Sequence, residues 1–556
     1  MLLVTETDAE THIASGAWGR LTLDNLLGYL ARSAPERVAL VDAPSRGEAA
    51  SSFTFAELDR RVEILASFFT AVGLAPDTVV ALQMPATSDA VVALLGALRA
   101  GLIVAPMPLA WRGADVSAAL QRIGARGIIT VAQVDGEPVG ERARDVAAEL
   151  WQIRFVFGAG GSLPDGLIDL DRVFAEADAL PPTELPTRGG NPADHVATIS
   201  FATTGGEAVA VPRSHNQWIA TGLMAMLEAG LDHDSRLLTM LAPSGLAGLG
   251  LSLAPWLLSG GTLMLAEPTV FTALAVDIAE LAPTHIVAPA TLARRLAGLL
   301  DRQRSAARLV LVEHGASDHE TILPQGRTVI DAMVLGEVGI LIRARADAAA
   351  HAALPIGPWT TPSGLAGGPV LVEARLKALS QSAAHQGRDG ATTGELQLRG
   401  ATVATPGWPL TPPVAFAREA ARDPSDGYVG TGRRARLVAT QPPAFEIGEP
   451  LGDVAIVGRH AIDLAAADRA YKTAPGVLDA AAFVLPDPLL GARIAAAVVP
   501  KPGYDVDRFT LTSYAEAARL ALPLIPDVVV SLAAVPRASD GTVLRDDLAN
   551  YALARR

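Results

Sequence analysis

Two kinds of group could handle phosphate or an activated acid in this 556-residue chain, and they are unequally supplied. The run Ser200-Phe201-Ala202-Thr203-Thr204-Gly205-Gly206 sets two hydroxyls ahead of two glycines, a composition able to turn backbone N–H groups toward a phosphate. Taken alone, it serves equally as a ligand-free turn between strands. Cations are the scarce partner: Lys377, Lys472 and Lys501 are the only lysines, so 42 of the 45 basic residues are arginine. With no cysteine, disulfides, thiolate metal sites and a cysteine nucleophile are excluded. Gly248-Leu249-Gly250 and Gly158-Ala159-Gly160 lack the third glycine of a dinucleotide fingerprint, and there is no G-x-S-x-G elbow. A Walker loop needs a lysine where none stands, and the ten histidines show no H-x-x-x-H spacing.

The surrounding composition narrows the partners. A net charge of −14 without any dense Lys/Arg run argues against nucleic acid and anionic membranes. Apolar residues at 50% against 19% charged describe a folded, enzyme-sized α/β body, and the length calls for at least two domains. Met1 to Asp8 is too short and acidic for a secretory signal, so a cytoplasmic address is expected. The most apolar windows, Val91 to Leu109 and Leu246 to Leu265, are broken by Arg99 or by Gly, Ser and Pro. They read as buried elements, with no integral membrane span.

The elements that must position any site alternate in period. Thr54-Phe55-Ala56-Glu57-Leu58 opens a helix through Val62, Leu65 and Ala66, and Val79 to Leu82 reads as a buried strand. After the Pro/Gly-rich connector from Pro181 to Pro192, a strand starts at Val196. A second α/β unit follows, with strands expected at Leu237 to Leu241, Thr262 to Leu265, His285 to Val287 and Leu309 to Val312. Between Gly357 and Gly407 short runs such as Glu395-Leu396-Gln397-Leu398 predict a β-rich subdomain. The tail from Asp453 carries helix and strand signals of its own.

Several segments, in order along nearly the whole chain, resemble the adenylate-forming superfamily of acyl-CoA synthetases, luciferases and peptide-synthetase adenylation domains. They are Phe53 to Asp59, Gly96 to Pro106, Gly394 to Gly400, Asp426 to Gly432 and Val535 to Arg545. The resemblance implies an α/β fold: a large N-terminal domain, 1–452, of two α/β subdomains plus a β-rich distorted barrel, followed by a small α+β cap, 453–556. It also implies Mg2+ and ATP or AMP as cofactors, CoA as a second substrate, and a small-molecule carboxylic acid or acyl ligand.

Carried over residue by residue, the family's site is only partly present. The phosphate loop keeps Thr203, Thr204, Gly205 and Gly206, with Thr204 the catalytic hydroxyl, but its lysine falls on Ala208 or Val209 and Glu207 adds a negative charge. Met333-Val334-Leu335-Gly336-Glu337 keeps the acid expected to hold magnesium, Glu337, while Met333 replaces the adenine-stacking aromatic. Gly315 and Ala316 are implied in nucleotide binding. Thr431-Gly432-Arg433 puts a donor-only guanidinium where the family has the aspartate that accepts ribose hydroxyls. Asp453 marks the hinge, and Thr542 stands where the mobile C-terminal lysine belongs. The acyl pocket is expected near Trp218, Gly245, His314, Gly315 and Val334, with Gly245 in place of a histidine.

Two functions follow. In one, the chain is a pseudo-synthetase whose adenylation is attenuated or lost, retained to bind an acyl, CoA or nucleotide ligand, a second copy or a partner protein. In the other, it is an active acyl-CoA ligase that forms an acyl-adenylate and then a thioester with altered residues, using Glu337, Mg2+ and an arginine such as Arg213.

Overall fold

The computed structural model describes residues 1–4, 6–44, 51–177, 184–204, 207–266, 271–315, 326–345, 354–363, 367–379, 393–404, 407–408, 426–458 and 460–555. Local chemistry starts the elements where the sequence predicts. Thr54 accepts the N–H of Glu57 while the Glu57 carboxylate accepts that of Thr54, a capping box that opens the helix Phe55–Ala71. Its stripe of Phe55, Leu58, Val62, Leu65, Ala66 and Phe69 is buried, and it packs on the helix Ser88–Arg99. Arg99 ends that apolar run by pairing with Asp59 and Glu63.

Two largely parallel sheets form the body. Strands β1 (Val38–Asp42) and β2 (Ser52–Thr54) belong to one of them. The other holds β3 (Val79–Gln83), β4 (Ile103–Pro106), β5 (Gly127–Val131), β6 (Phe155–Ala159), β7 (Ile168–Asp169), β8 (Val196–Thr204) and β9 (Glu207–Ser214), ordered β7-β6-β5-β3-β4-β8-β9. Only the β8–β9 hairpin in it is antiparallel. The chain then returns to the first sheet with β10 (Arg236–Thr239), β11 (Thr262–Leu265), β12 (His285–Pro289), β13 (Arg308–Glu313), β14 (Val329–Leu335) and β15 (Gly339–Ala344). The order is β15-β14-β13-β12-β10-β11-β1-β2, parallel from β14 to β1.

The third sheet is wholly antiparallel and comprises β16 (Leu354–Pro355), β17 (Gly357–Thr360), β18 (Val370–Ala378), β19 (Thr393–Arg399), β20 (Val429–Thr440) and β21 (Pro443–Pro450). Its order, β16-β21-β20-β19-β18-β17, puts at its two ends strands that are separated in the chain by Ile356 alone, so the sheet is a nearly closed barrel. It extends well past Gly407, where sequence reading stopped. The arginines of β20, buried at Arg433, half-buried at Arg434 and exposed at Arg436, and β21's mixed face hide their period from a pattern search.

After Asp453 come the hairpin β22 (Val454–Val457)–β23 (His460–Asp463) and a sheet of β24 (Val477–Asp487), β25 (Gly491–Pro500) and β26 (Val528–Ser531). Alternation along β24 sends Ala480 and Ala482 to one apolar cluster and Ala481, Phe483 and Leu485 to another; both clusters draw their buried residues from 455–552 alone. Among the described residues, no helix is long and apolar enough to cross a membrane.

One buried histidine ties this framework together and gives it a pH signature. Ser214 caps the helix His215–Ala229, and the fully buried His215 accepts the Leu23 N–H at Nδ1, 3.3 Å, fastening the start of the helix Leu23–Ser33. Burial, with Arg188 and His195 nearby, pushes the His215 pKa down to about 3. Between that value and its ordinary 6.5, the unfolded chain binds a proton that the folded chain refuses. This contribution to stability is therefore lost as pH falls through that window, by about 1.4 kcal/mol per pH unit at most. Denaturant titrations across the window should show that slope in the wild type and its loss in His215→Gln.

Candidate functional site

In the β10-containing sheet the chain passes from β10 to β11 on one side and then from β11 back past β10 to β12 on the other, so the strand order reverses at β10. Ligands of open parallel sheets bind outside the carboxyl ends of the strands at such a point. The carboxyl ends here deliver Gly245 after β10, His314 and Gly315 after β13, and Glu337 after β14. The hairpin β8–β9, the barrel strand β20 and the hairpin β22–β23 close around them.

Glu337 is held inward. Its Oε1 accepts the Leu246 N–H at 3.1 Å, while Oε2 has no hydrogen-bond partner and lies 3.9 Å from the Arg213 guanidinium; the Ser200 hydroxyl, which donates to the Val211 carbonyl at 3.4 Å, favours the charged carboxylate from nearby. Arg213, with no exposed surface, donates to the carbonyl oxygens of Glu337 at 2.8 Å and Val338 at 2.9 Å, and lies over the Trp218 ring. Burial lowers the Arg213 pKa to about 10 and raises that of Glu337, although each charge favours the other. Desolvation thus outweighs attraction in both, so what Arg213 contributes is placement of the Glu337 backbone rather than ion-pair energy. Gly245 completes the arrangement at φ +72°, where a Cβ would stand 2.7 Å from Glu337 Oε1.

Arg433, expected at the ribose position, does not face solvent. It is 5% exposed and donates through Nη1 to the His314 carbonyl at 3.3 Å, with Glu449 as its nearby opposite charge. The next residue, Gly315, meets the C-terminal hairpin: a Cβ there would touch Ile456 of β22 at 3.9 Å. The same C-terminal unit packs β23 against β8 and donates the Leu522 N–H to the Ala110 carbonyl at 3.1 Å.

The remaining expected residues are spread more widely. Thr203 and Thr204 pair with Ala208 and Glu207 across the β8–β9 hairpin, while Gly205, Gly206 and Ala316 lie outside the described residues. Met333 is half-buried, and Val334 is buried in the core. Trp218, expected in the pocket, is wholly buried and donates its indole N–H to the Thr198 hydroxyl at 2.9 Å. Asp453 pairs with Arg545 at 2.8 Å. Thr542 is exposed on a tight turn, its N–H on the Asp540 carboxylate at 2.9 Å. Arg213 is no substitute for the loop lysine, since its two terminal nitrogens already serve carbonyls. Sequence reading missed this structural role, and the Leu246 N–H with it, because the partner Glu337 lies 124 residues along the chain from Arg213 and no local pattern links them.

These groups do not fit Mg-ATP in the manner the resemblance implies. One oxygen of Glu337 is taken, the other faces a guanidinium where a divalent cation would repel it, and Arg433 offers no acceptor to a ribose diol. Among the described residues no group of three or more His, Asp or Glu could hold a metal ion.

A family model described as "AMP-binding enzyme" matches residues 29–406. The chain is 29% identical to salicyl-AMP ligase / salicyl-S-ArCP synthetase of Mycobacterium tuberculosis over 42% of its length, spanning only 40% of that protein. It is 24% identical to 2-hydroxy-7-methoxy-5-methyl-1-naphthoate–CoA ligase of Streptomyces carzinostaticus over 96% of this chain and 94% of that one. In fold it resembles amide bond synthetase McbA from Marinactinospora thermotolerans, with a TM-score of 0.74 at 19% identity, covering 96% of this chain and 99% of that chain.

The crowding at Gly245 is testable. Gly245→Ala should cost about 1–2 kcal/mol for its left-handed backbone, plus a further increment for displacing the Glu337 carboxylate. In a double-mutant cycle by chemical denaturation, Glu337→Ala should remove the second part and leave the first. Strict additivity would show that the carboxylate does not press on Gly245.

Proposed function

Because this chain belongs to the AMP-binding enzyme family, we propose that it uses the adenylate-forming ligase fold to bind a small carboxylic acid or its acyl derivative, with its own adenylation step attenuated. The family's members use ATP and Mg2+ and often CoA, and solved neighbours include ATP-bound forms. The observation that carries the reading is the inward hold on Glu337, whose Oε1 is taken by the Leu246 N–H and whose Oε2 faces the Arg213 guanidinium. Adenylation concentrates negative charge on phosphate, and losing one contact to such charge costs about 2–4 kcal/mol, a hundred- to a thousandfold in rate. Here the loop lysine, the mobile lysine and the ribose carboxylate are replaced by Val209 or Ala208, Thr542 and Arg433. Groups that act as a unit fail together. The acid would enter the crevice by Gly245, His314 and Val334. Asp453 would be the pivot between a body of residues 1–452 and a cap of residues 453–556.

One observation favours a second reading. The similarity to the naphthoate–CoA ligase runs nearly end to end in both chains, which supports an acid-thiol ligase of the AMP-forming class that forms an acyl-adenylate and then a thioester with altered residues.

ATP–pyrophosphate exchange over a panel of aromatic and medium- to long-chain acids separates the two. The attenuated reading expects background exchange from the wild type and measurable exchange from the triple variant Val209→Lys, Arg433→Asp, Thr542→Lys. Thr542→Lys alone should leave stability within about 0.5 kcal/mol, being exposed. Robust exchange by the unmodified chain, unaffected by Glu337→Gln, would overturn both the attenuated reading and any metal role for Glu337.

A further inference from the structure

From the misfit at the ribose position, we infer that the subsite beside Arg433 takes a nucleotide whose ribose is itself phosphorylated. The inference rests on the family placement used above, which sets Thr431-Gly432-Arg433 at the ribose position. It departs from that placement in the ligand it names.

The carbonyl ends of the β strands fix the location. His314 follows β13, and Arg433, on β20, reaches its carbonyl at 3.3 Å. The backbone aims the side chain: the Arg433 N–H is bound by the Thr431 hydroxyl at 3.3 Å, that hydroxyl donates to the Leu396 carbonyl at 2.7 Å, and Gly432 between them turns with φ +66°. The Gly432 carbonyl in turn accepts the Leu451 N–H at 2.7 Å, so the turn is held from both sides. Arg433 is thus a placed residue at 5% exposure.

Its donors are incompletely used. Nη1 has the His314 carbonyl, while Nε is buried without a hydrogen-bond partner. Glu449 offsets the charge through space, but burial still holds the guanidinium below its usual range. A buried guanidinium short of acceptors favours an anion with several oxygens, and its planar fork matches phosphate with two parallel N–H bonds. A free ribose diol offers far less to such a group, since its hydroxyls must donate as well as accept. The same exchange of chemistry distinguishes dinucleotide sites, where an acid takes the free 2′-hydroxyl and an arginine the 2′-phosphate. Ile456, packed at Gly315, covers the neighbouring backbone and limits water there, which strengthens any charge pairing made beneath it.

Titration calorimetry on the full chain tests this with four probes: AMP, adenosine 2′,5′-bisphosphate, adenosine 3′,5′-bisphosphate and inorganic phosphate. One bisphosphate should bind at least about tenfold more tightly than AMP, and the advantage should shrink as salt is raised. Arg433→Gln should bring the ratio close to one, and Arg433→Lys should keep part of it. Equal binding of AMP and both bisphosphates by the wild type would overturn the inference without any variant having to fold. So would an unchanged ratio in Arg433→Gln, or inorganic phosphate binding as tightly as the bisphosphates. Pyrophosphate exchange is read separately: activity from the wild type would sink the attenuated reading, whereas loss of the bisphosphate preference alone would sink only this one.

Discussion

A guanidinium taken wholly out of water must be given oxygen acceptors, and Arg213 receives its two from the carbonyls of Glu337 and Val338. Those carbonyls belong to the tight turn between β14 and β15, so one side chain on the β8–β9 hairpin holds together the edges of two different sheets. The turn in turn presents the Glu337 carboxylate to the Leu246 N–H, fixing the segment that leaves β10. Gly245 is required there because the carboxylate occupies the space a side chain would need. The width of the crevice at the carboxyl edge therefore depends on an arginine with no exposed surface at all.

The chain solves the same problem a second time a short way along the edge. Arg433 spends one donor on the His314 carbonyl, just past β13, bringing the barrel into contact with the sheet. In both places a long cation bridges sheets through main-chain oxygens, which accept without carrying charge of their own. Arginine suits this role because its fork reaches two acceptors and stays charged even when buried. Around these bridges the C-terminal unit adds Ile456, β23 and Leu522, touching both parallel sheets and leaving the crevice roofed by apolar and main-chain groups.

Fold and site were legible to different depths. The capping box at Thr54, the apolar strands from Val79 and Thr262, and the ordered family segments are local or collinear signals, and the family and the α/β-plus-barrel architecture follow from them. The extent of the barrel was not legible, because the pattern of β20 mixes buried residues with Arg434 and Arg436. At the site, the sequence showed which residue types stood at Glu337, Gly245, Arg433 and Thr542. It could not show that Arg433 turns inward or that Trp218 is core, since both outcomes are decided by neighbours more than a hundred residues away or across a sheet, such as His314. Arg213 was legible only as a spare cation. Its commitment to two carbonyls is a tertiary fact.

The barrel's closure has a consequence for how the chain behaves among its own copies. A sheet normally ends in a row of unpaired amides and carbonyls that can recruit a foreign strand. Here the two end strands are β16, of two residues, and β17, of four, and Ile356 joins them directly. The Ile356 N–H is spent on the Pro443 carbonyl at 3.0 Å, and Trp359 folds its indole N–H back onto the Pro355 carbonyl at 3.0 Å. Two nitrogens along this stretch, those of Pro355 and Pro358, have no hydrogen to give. The seam that almost closes the barrel is thus also the stretch least able to template another strand, and the sheet resists edge-to-edge association without a covering helix.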